Sequence, residues 1–235
     1  MNITRLFDQF KNKKVLVLGD IMIDAYFHGK VTRISPEAPV PIVNLANKEQ
    51  RLGGAANVAL NLKALGAEPI ICSIKGNDKA GDELKSLCKS NNLLTDGLIN
   101  DYNRVTTVKT RIIGNNTQLL RVDEENTSEI DASVEDLVFD AVNSFISSVD
   151  VLIFQDYNKG LLTQTLIERV IKLCKTNNVP MVVDPKFDNF FAYQGVNLFK
   201  PNKSELLRAE NINESLSIDD VKRLTEKVRT GLNAE

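Results

Sequence analysis

Acidic side chains follow several short apolar runs of this sequence. Asp20 and Asp24 come just after the run at 15–18, and Asp156 follows the run at 151–154. Carboxylates accept hydrogen bonds from hydroxyl groups, so a pair of them suits the recognition of a polyol. One of the two early aspartates could instead cap a turn. The pattern therefore favours a sugar-like ligand bound where strands end.

A pair of glycines precedes a helical pattern that begins near residue 55. Gly53 and Gly54 allow close backbone approach and leave N–H groups free beside the positive end of the helix. Asn57, in the first turn, can both donate and accept hydrogen bonds, which suits a sugar hydroxyl. An ordinary glycine-opened helix packed tightly on a strand explains the same residues equally well.

Two later motifs carry residue types that phosphates and metals require. Asp184 and Lys186 lie in Asp-Pro-Lys, and Asn202 and Glu205 lie in Asn-Lys-Ser-Glu. Lysine supplies a point charge for a phosphate, and Mg²⁺ prefers one carboxylate together with waters and nucleotide oxygens. For the second motif, a helix cap with an acidic residue at its third position is the alternative explanation.

Basic residues are concentrated on two segments, 25–50 and 98–123. They are Arg33, Lys109, Arg111 and Arg121. A cationic group of this kind would face a negatively charged substrate. Solvated surfaces carry such charges as well, so both interpretations stay open.

Composition and missing motifs exclude several classes of protein. The chain has 235 residues, is 43% hydrophobic and carries a formal charge of -2, so no net positive field would attract a nucleic acid. Its three cysteines form no metal or disulfide spacing, and no apolar run approaches a membrane span. A P-loop, a dinucleotide Gly-x-Gly-x-x-Gly and a hydrolase Gly-x-Ser-x-Gly are all absent. We expect a soluble cytoplasmic protein with reduced thiols.

The elements that must position these residues alternate between strand and helix. Apolar runs near 15–18, 69–73, 151–154 and 180–183 are separated by helical patterns, which predicts an α/β fold with a doubly wound, mostly parallel sheet. Ligands bind outside the carboxyl ends of such strands. The proline-rich segment 25–50 and the alternating segment 98–123, which turns near 114–116, do not fit this rhythm. We expect them to form a small β lid beside the sheet, within one domain over 1–235.

Taken together, these residues resemble the ribokinase-like (PfkB) carbohydrate kinases over essentially the whole chain. The motifs are Gly-Gly-x-x-Asn at 53–57, Asp-Tyr-x-Lys-Gly at 156–160, Asp-Pro-Lys at 184–186 and Asn-x-x-Glu at 202–205. Within that family, Arg-Ile-Ser-Pro-Glu-Ala-Pro-Val-Pro at 33–41 and Gln-Leu-Leu-Arg-Val-Asp at 118–123 are similar to the D-glycero-β-D-manno-heptose-7-phosphate kinases. Those enzymes make heptose 1,7-bisphosphate on the route to ADP-heptose for lipopolysaccharide.

The resemblance implies transfer of the ATP γ-phosphoryl group to the anomeric hydroxyl of a sugar phosphate, with Mg²⁺. It assigns sugar hydroxyls to Asp20, Asp24, Gly54, Asn57 and Asp156, and the 7-phosphate to Arg33, Lys109, Arg111 and Arg121. It assigns catalysis to Lys159 and Lys186, and the nucleotide and its metal to Asp184, Lys186, Asn202 and Glu205, with Glu205 holding Mg²⁺ through water. It also implies a homodimer paired through the lid. A ribokinase-like kinase of another sugar or nucleoside, or a non-catalytic sugar-binding protein, remains an alternative.

One departure from the family pattern is large. The late Gly-Ala-Gly-Asp block, whose aspartate is the family's general base and whose helix start forms an anion hole, has no match before Glu235. We therefore expect a kinase domain incomplete at its C-terminus that binds sugar phosphate weakly and transfers phosphate barely or not at all. The His-x-Gly-His motif of the adenylyltransferase half of bifunctional relatives is also absent, so we expect none of that activity from this chain.

Overall fold

The fold contains two β-sheets flanked by helices. The computed structural model describes residues 3–213 and 216–235 of the chain. The strands are β1 (Lys14–Gly19), β2 (Ile21–Ile34), β3 (Pro41–Gly54), β4 (Glu68–Gly76), β5 (Leu98–Asp101), β6 (Val108–Gly114), β7 (Thr117–Glu124), β8 (Val151–Gln155), β9 (Met181–Asp184) and β10 (Leu198–Phe199). The helices are α1 (Ile3–Asp8), α2 (Ala55–Ala64), α3 (Lys79–Ser90), α4 (Ala132–Ile146), α5 (Gln164–Thr176), α6 (Lys203–Ala209) and α7 (Ile218–Gly231).

The larger sheet has six strands in the order β10-β9-β8-β1-β4-β5, and every neighbouring pair is parallel. Alternate residues of β1 point to opposite faces, so Leu16 and Leu18 pack with α4 to α7 while Val15 and Val17 pack with α2 and α3. Burial on both faces explains why β1 is an unbroken apolar run. The predicted doubly wound parallel sheet flanked by helices is confirmed.

Side chains cap most of the helices that surround this sheet. The Thr163 hydroxyl accepts a hydrogen bond from the Leu166 amide at the start of α5. At the start of α7, the Ser217 hydroxyl accepts one from the Asp220 amide. Helix α4 begins at Ala132, directly after Asp131. The Asp131 side chain makes no cap and instead accepts a hydrogen bond from the side chain of Asn103.

The smaller sheet has four strands in the order β3-β2-β6-β7. Its core is a long antiparallel hairpin of β2 and β3, whose tip between Ile34 and Pro41 holds the prolines that a central strand would not tolerate. The second hairpin turns at Asn115 and Asn116, as predicted, and both residues have positive φ. Residues 25–50 and most of 98–123 thus form one small sheet.

The predicted lid boundary at residue 98 is wrong. Leu98 pairs with Ser73 of β4 and is 9% exposed, so Leu98–Asp101 forms β5 at the edge of the larger sheet. Pairing at this edge buries the Leu98 side chain, which is favourable because it removes apolar surface from water. Within 98–123, only the part from Val108 onward belongs to the smaller sheet.

The three cysteines are buried free thiols, as predicted. Burial disfavours the thiolate and raises the pKa of Cys72 to about 12 and that of Cys88 to about 11. Among the described residues, none of the helices combines the length and apolar character that a membrane crossing needs.

Candidate active site

Three of the predicted carboxylates lie side by side at the carboxyl ends of adjacent strands. Asp20 follows β1, Asp156 follows β8 and Asp184 ends β9, and Gly19 pairs with Gln155, which in turn pairs with Asp184. The Asp20 amide donates to the Gln155 carbonyl at 3.2 Å, and the Asp156 amide donates to the Asp184 carbonyl at 3.2 Å. Parallel pairing in register therefore brings together residues that are far apart in the sequence.

Asp20 is buried and keeps one oxygen unused. Its Oδ2 accepts hydrogen bonds from the amides of Tyr157 at 2.8 Å and Lys159 at 3.2 Å, which fixes the loop after β8. Its Oδ1 is buried and has no hydrogen-bond partner in the part of the chain that the structure describes. Burial, reinforced by the negative charge of Asp156, raises the pKa of Asp20 to about 6. The free oxygen can accept a hydrogen bond from a ligand hydroxyl.

A small cavity lies beside Asp20 and is lined by Lys75, Thr106 and Lys159. Its volume is about 10 Å³, which is close to the space that one water or one hydroxyl group needs. Lys75 is only 5% exposed, and its ammonium group donates to the Gly76 carbonyl at 3.2 Å. Sequence reasoning missed Lys75, because a lysine at the end of a buried strand carries no local signal of its place.

Gly54 meets the backbone of Asp20 directly. Its φ is +59°, and a Cβ atom built on it would lie 2.3 Å from the Asp20 carbonyl oxygen. The same carbonyl accepts a hydrogen bond from the Ala55 amide at 2.9 Å, at the start of α2. Close packing, the alternative explanation of the glycine pair, is thus present, and it places the start of α2 at the same rim as Asp20.

The Asp156 carboxylate is buried and is held by donors of the protein. It is 1% exposed and accepts hydrogen bonds from the Tyr193 hydroxyl at 2.8 Å, the Asn158 amide at 2.8 Å and the Asn189 side chain at 3.3 Å. Burial raises its pKa, although these three donors favour the charged form. The contacts give Asp156 a structural role, and its contact with a sugar stays a prediction.

Asp24 and Asn57 lie in a separate, larger cavity of about 450 Å³ between the smaller sheet and helices α2 and α3. The volume falls within the range of small-molecule sites. The Asp24 carboxylate accepts a hydrogen bond from Arg111 at 2.6 Å, and the Arg111 guanidinium also lies over the Tyr26 ring. Asn57 is exposed and open to this cavity.

The four predicted phosphate-binding cations do not form one cluster. Lys109 binds Asp123 at 2.9 Å, and Arg121 binds the same carboxylate at 2.8 Å. Arg33 is exposed near the hairpin tip. Arg111 lies opposite Tyr26 on β2, and Arg33 is seven residues farther along that strand. At about 3.3 Å per residue, Arg33 is roughly 23 Å farther along the strand. The structure therefore does not bring Arg33 to the other three.

Lys159 joins the smaller sheet through a residue that sequence reasoning missed. Its ammonium group binds Glu125 Oε1 at 2.9 Å, and Lys109 binds Glu125 Oε2 at 2.8 Å. Burial opposes the charge on Glu125, but the two ammonium groups outweigh it and lower the pKa. One carboxylate thus connects a predicted catalytic lysine with a predicted substrate-binding lysine.

Arg104, also missed, fixes the loop that carries Lys159. Its guanidinium donates to the carbonyls of Lys159 at 2.8 Å and Ser128 at 2.9 Å, and to the Asp101 carboxylate at 2.7 Å. The Arg104 side chain is 7% exposed. Its partners lie up to 55 residues away in the chain, so no local pattern could have identified it.

The predicted nucleotide-binding residues meet at the end of β9 and the start of α6. Asn202 and Glu205 form a capping box, in which the Glu205 amide donates to Asn202 Oδ1 at 2.9 Å and the Asn202 amide donates to Glu205 Oε2 at 2.8 Å. Lys186 binds the other oxygen of Glu205. The helix cap, the alternative explanation of this motif, is therefore present.

These residues fit Mg²⁺ held through water better than a direct metal site. The described residues contain no group of three or more acidic, histidine or cysteine side chains that could enclose a metal. Both Glu205 oxygens already accept a hydrogen bond from a protein donor, and its side chain is 11% exposed. Mg²⁺ usually keeps several waters and binds nucleotide phosphates, so it needs only one or two nearby carboxylates.

Tyr157, which had no predicted role, lies between Asp20 and Lys186. Its amide donates to Asp20, and the Lys186 ammonium lies 5.8 Å from its ring centroid. Burial raises the pKa of Tyr157, and the carboxylates of Asp184 and Asp24 add to this effect. The Tyr157 side chain is thus near both the end of β9, at Asp184, and the smaller sheet, at Asp24.

A family model and the similar sequences both indicate a carbohydrate kinase. A family model described as pfkB family carbohydrate kinase matches residues 12–234. A bifunctional protein HldE of Desulfatibacillum aliphaticivorans is 42% identical over 203 residues, which are 86% of this chain and 42% of that protein. A D-beta-D-heptose 7-phosphate kinase of Bordetella bronchiseptica is 37% identical over 228 residues, 97% of this chain and 71% of that protein. The chain spans less than half the length of the bifunctional relative.

Solved structures with the same fold include kinases of low sequence identity. The tetrameric inhibited form of phosphofructokinase-2 from Escherichia coli aligns with a TM-score of 0.74 at 16% identity, covering 95% of this chain and 71% of that one. A carbohydrate kinase from Agrobacterium tumefaciens aligns with a TM-score of 0.67 at 19% identity, covering 92% and 67%. These similarities establish the fold.

Proposed function

Because the chain belongs to the pfkB family of carbohydrate kinases, we propose that it serves the ATP-dependent phosphorylation of a sugar phosphate at its anomeric hydroxyl. The substrate we propose is D-glycero-β-D-manno-heptose 7-phosphate, and the product is heptose 1,7-bisphosphate, a precursor of ADP-heptose and lipopolysaccharide. The names of the similar HldE proteins and of the Bordetella kinase support this choice. The use of ATP agrees with the cytoplasmic location predicted from the sequence.

One observation carries the proposal. The unused oxygen of Asp20, an acceptor for a hydroxyl, lies beside a cavity that is also lined by Lys159, and Lys159 and Lys109 share one carboxylate. A substrate with hydroxyl groups at one end and a phosphate at the other matches an acceptor next to paired cations. A neutral sugar would offer Lys109 no anionic group to bind.

The proposed reaction depends on positioning and charge neutralisation, since phosphoryl transfer needs little covalent chemistry from the protein. Asp20, Asp24, Gly54, Asn57 and Asp156 would orient the sugar. Lys109, Arg111 and Arg121, and Arg33 in a changed arrangement, would bind the 7-phosphate. Lys159 and Lys186 would neutralise the phosphates involved in transfer.

The nucleotide would lie toward Asp184, Lys186 and the start of α6. Glu205, supported by Asn202, would hold Mg²⁺ through water, and the ion would neutralise charge on the nucleotide phosphates when bound. Closure of the smaller sheet over the site would exclude water, which limits wasteful hydrolysis. We also propose that this sheet pairs two subunits, because β7 is an exposed edge strand on which Leu119, Leu120 and Val122 are at least 41% exposed.

Ligand binding to the 235-residue chain tests the proposal. Isothermal titration calorimetry with heptose 7-phosphate and with unphosphorylated heptose should show binding of the first at least tenfold tighter, because charge-assisted hydrogen bonds to phosphate contribute on the order of 1.5–3 kcal/mol. Lys109→Ala should remove most of this preference. Lys30→Ala is the matched control, since Lys30 is an exposed lysine on the same sheet.

The alternatives give different results in the same experiment. Equal affinity for the two sugars would favour a kinase of a neutral sugar or nucleoside and would contradict the proposed substrate. Sugar binding without any binding of Mg²⁺-ATP would favour a non-catalytic sugar-binding protein. Absence of binding by either sugar would contradict the proposal as a whole.

A further inference from the structure

We infer that Glu125 is an internal competitor for two cations that bind phosphate groups, Lys109 and Lys159, and that it thereby weakens the binding of phosphorylated ligands. The inference rests on the proposed function, because it assigns Lys109 and Lys159 to phosphate groups. It adds a residue with negative charge, which neither the sequence motifs nor the cation pattern indicated.

The geometry places one carboxylate between two lysines from different parts of the fold. Glu125 Oε1 binds Lys159 of the loop after β8, and Glu125 Oε2 binds Lys109 of β6. The three side chains are 22%, 17% and 13% exposed, respectively. Ion pairs that are partly withdrawn from water are screened less than surface pairs, so these contacts contribute more than an ordinary surface salt bridge.

A phosphate group makes the same kind of contact as a carboxylate. Both accept charge-assisted hydrogen bonds from lysine, and a phosphate adds further oxygens and more negative charge. A phosphate that binds Lys109 or Lys159 must therefore compete with Glu125 for that lysine. Because the two lysines are free for only a fraction of the time, the apparent affinity for a phosphate is reduced by that fraction.

The position of Glu125 in the chain permits this exchange without loss of structure. Strand β7 ends at Glu124, so the backbone of Glu125 takes no part in the pairing with β6. The following segment is held at Ser128 by Arg104. The side chain can rotate away from the lysines while the backbone on both sides stays in place.

The charge balance shows what the competitor achieves. Among the described residues, three cations pair with two carboxylates: Lys109, Lys159 and Arg121 with those of Asp123 and Glu125. A small anion must compete with a carboxylate that is tethered nearby and thus present at high effective concentration. Every phosphate that binds these lysines bears the same cost of displacing Glu125. A sugar phosphate offsets that cost through contacts of its hydroxyls, which free phosphate lacks. Glu125 therefore keeps the affinity for free anions low.

Glu125→Gln tests the inference, with Glu124→Gln as the matched control. Glu124 is an exposed neighbour of the same type, and its substitution removes the same charge at nearly the same place. Calorimetry would measure the affinity of wild type and both variants for inorganic phosphate, heptose 7-phosphate and unphosphorylated heptose. We expect Glu125→Gln to bind inorganic phosphate about tenfold more tightly, as removal of one charged hydrogen-bond partner predicts.

The unphosphorylated sugar separates competition from a general change in the site. In Glu125→Gln the affinities for inorganic phosphate and for heptose 7-phosphate should rise by a similar factor, and affinity for unphosphorylated heptose should stay unchanged. Glu124→Gln should resemble wild type for all three ligands. Circular dichroism establishes that each variant is folded, and Glu125→Ala provides a second variant with the same expectation.

Unchanged or weaker phosphate binding by both Glu125 variants would overturn the inference, because Glu125 would then support the lysines instead of competing for them. The result is distinguishable from failure of the proposed function. If wild type shows no preference for heptose 7-phosphate while Glu125→Gln still gains phosphate affinity, the proposed substrate is wrong and the competitor role stands. If wild type shows the preference and the variants gain nothing, only the inference fails.

Discussion

Replacing Gly54 by alanine should destabilise the protein through the backbone of the site itself. The residue has φ of +59° and ψ of -137°, a conformation that side chains with a Cβ atom rarely adopt. The added Cβ would also lie 2.3 Å from the Asp20 carbonyl oxygen, which is a backbone atom and cannot rotate away. Relief of this contact requires the carbonyl to move, and the hydrogen bond from the Ala55 amide at 2.9 Å then weakens.

The expected magnitude follows from these two effects. A residue forced into such a conformation costs about 1–3 kcal/mol. A buried amide left without its acceptor costs about 1–3 kcal/mol more. We therefore expect Gly54→Ala to lower the free energy of unfolding by roughly 2–6 kcal/mol, which corresponds to a fall in Tm of roughly 4–24 °C for a chain of this size.

Differential scanning calorimetry and urea unfolding measure this loss. Gly231→Ala is the matched control, because a Cβ at Gly231 meets nothing within 4 Å at the end of α7. Alanine has the higher helix propensity, so the control should be neutral or more stable by up to about 1 kcal/mol. A Gly54→Ala protein as stable as wild type would refute the claim that the glycine is required by its contact with Asp20.

Three further predictions concern other parts of the fold. The folded pKa of Asp20, about 6, exceeds its ordinary value of 3.8, so this carboxyl binds more protons in the folded than in the unfolded state. Its stabilising contribution is present below about pH 4 and is lost as the pH rises through 6. Between pH 4 and 7, the free energy of unfolding of wild type should fall by up to roughly 3 kcal/mol relative to that of Asp20→Asn. Arg104→Lys should lower the free energy of unfolding by about 2–4 kcal/mol, because lysine cannot bind Asp101 and two carbonyls at once. Leu120→Lys, on the exposed edge strand, should shift the proposed dimer to monomer in light scattering.

Each of these predictions has a control and a result that would contradict it. For Asp20, parallel pH profiles of wild type and variant would show that the carboxyl does not titrate between pH 4 and 7. Arg223→Lys changes an exposed arginine in the same way and should cost less than about 0.5 kcal/mol, so an equal loss at Arg104 would deny it a special role. A wild-type protein that is monomeric at all concentrations would rule out pairing through the smaller sheet.

The main sheet and the rim of the site could be predicted because their signals are local. An apolar run such as 15–18 indicates a strand buried on both faces, and parallel pairing places the residue after each strand at one edge. Asp20, Asp156 and Asp184 were found by this reasoning. Their individual partners were not, because Tyr193 and Asn189 reach Asp156 from a loop whose path depends on packing.

The charged groups of the smaller sheet show where sequence reasoning ends. A regular hairpin turning at Asn115 and Asn116 would place Val122 opposite Lys109. The structure contains a bulge between Ile112 and Ile113, and the shifted register places Asp123 opposite Lys109 instead. The neutralisation of a predicted substrate cation therefore depends on one irregularity that the sequence does not announce.

The single residue between β1 and β2 has a mechanical consequence. Only Asp20 separates β1 from β2, and the Ala55 amide, which follows Gly54, donates to the Asp20 carbonyl, so the base of the long hairpin lies at the site. Each arm has 14 residues and reaches roughly 45 Å at about 3.3 Å per residue, so a turn of about 5° at the base displaces the far end by about 4 Å. A probe attached near Arg33 would thus report a small rotation at the base of the hairpin as a displacement large enough to measure by fluorescence.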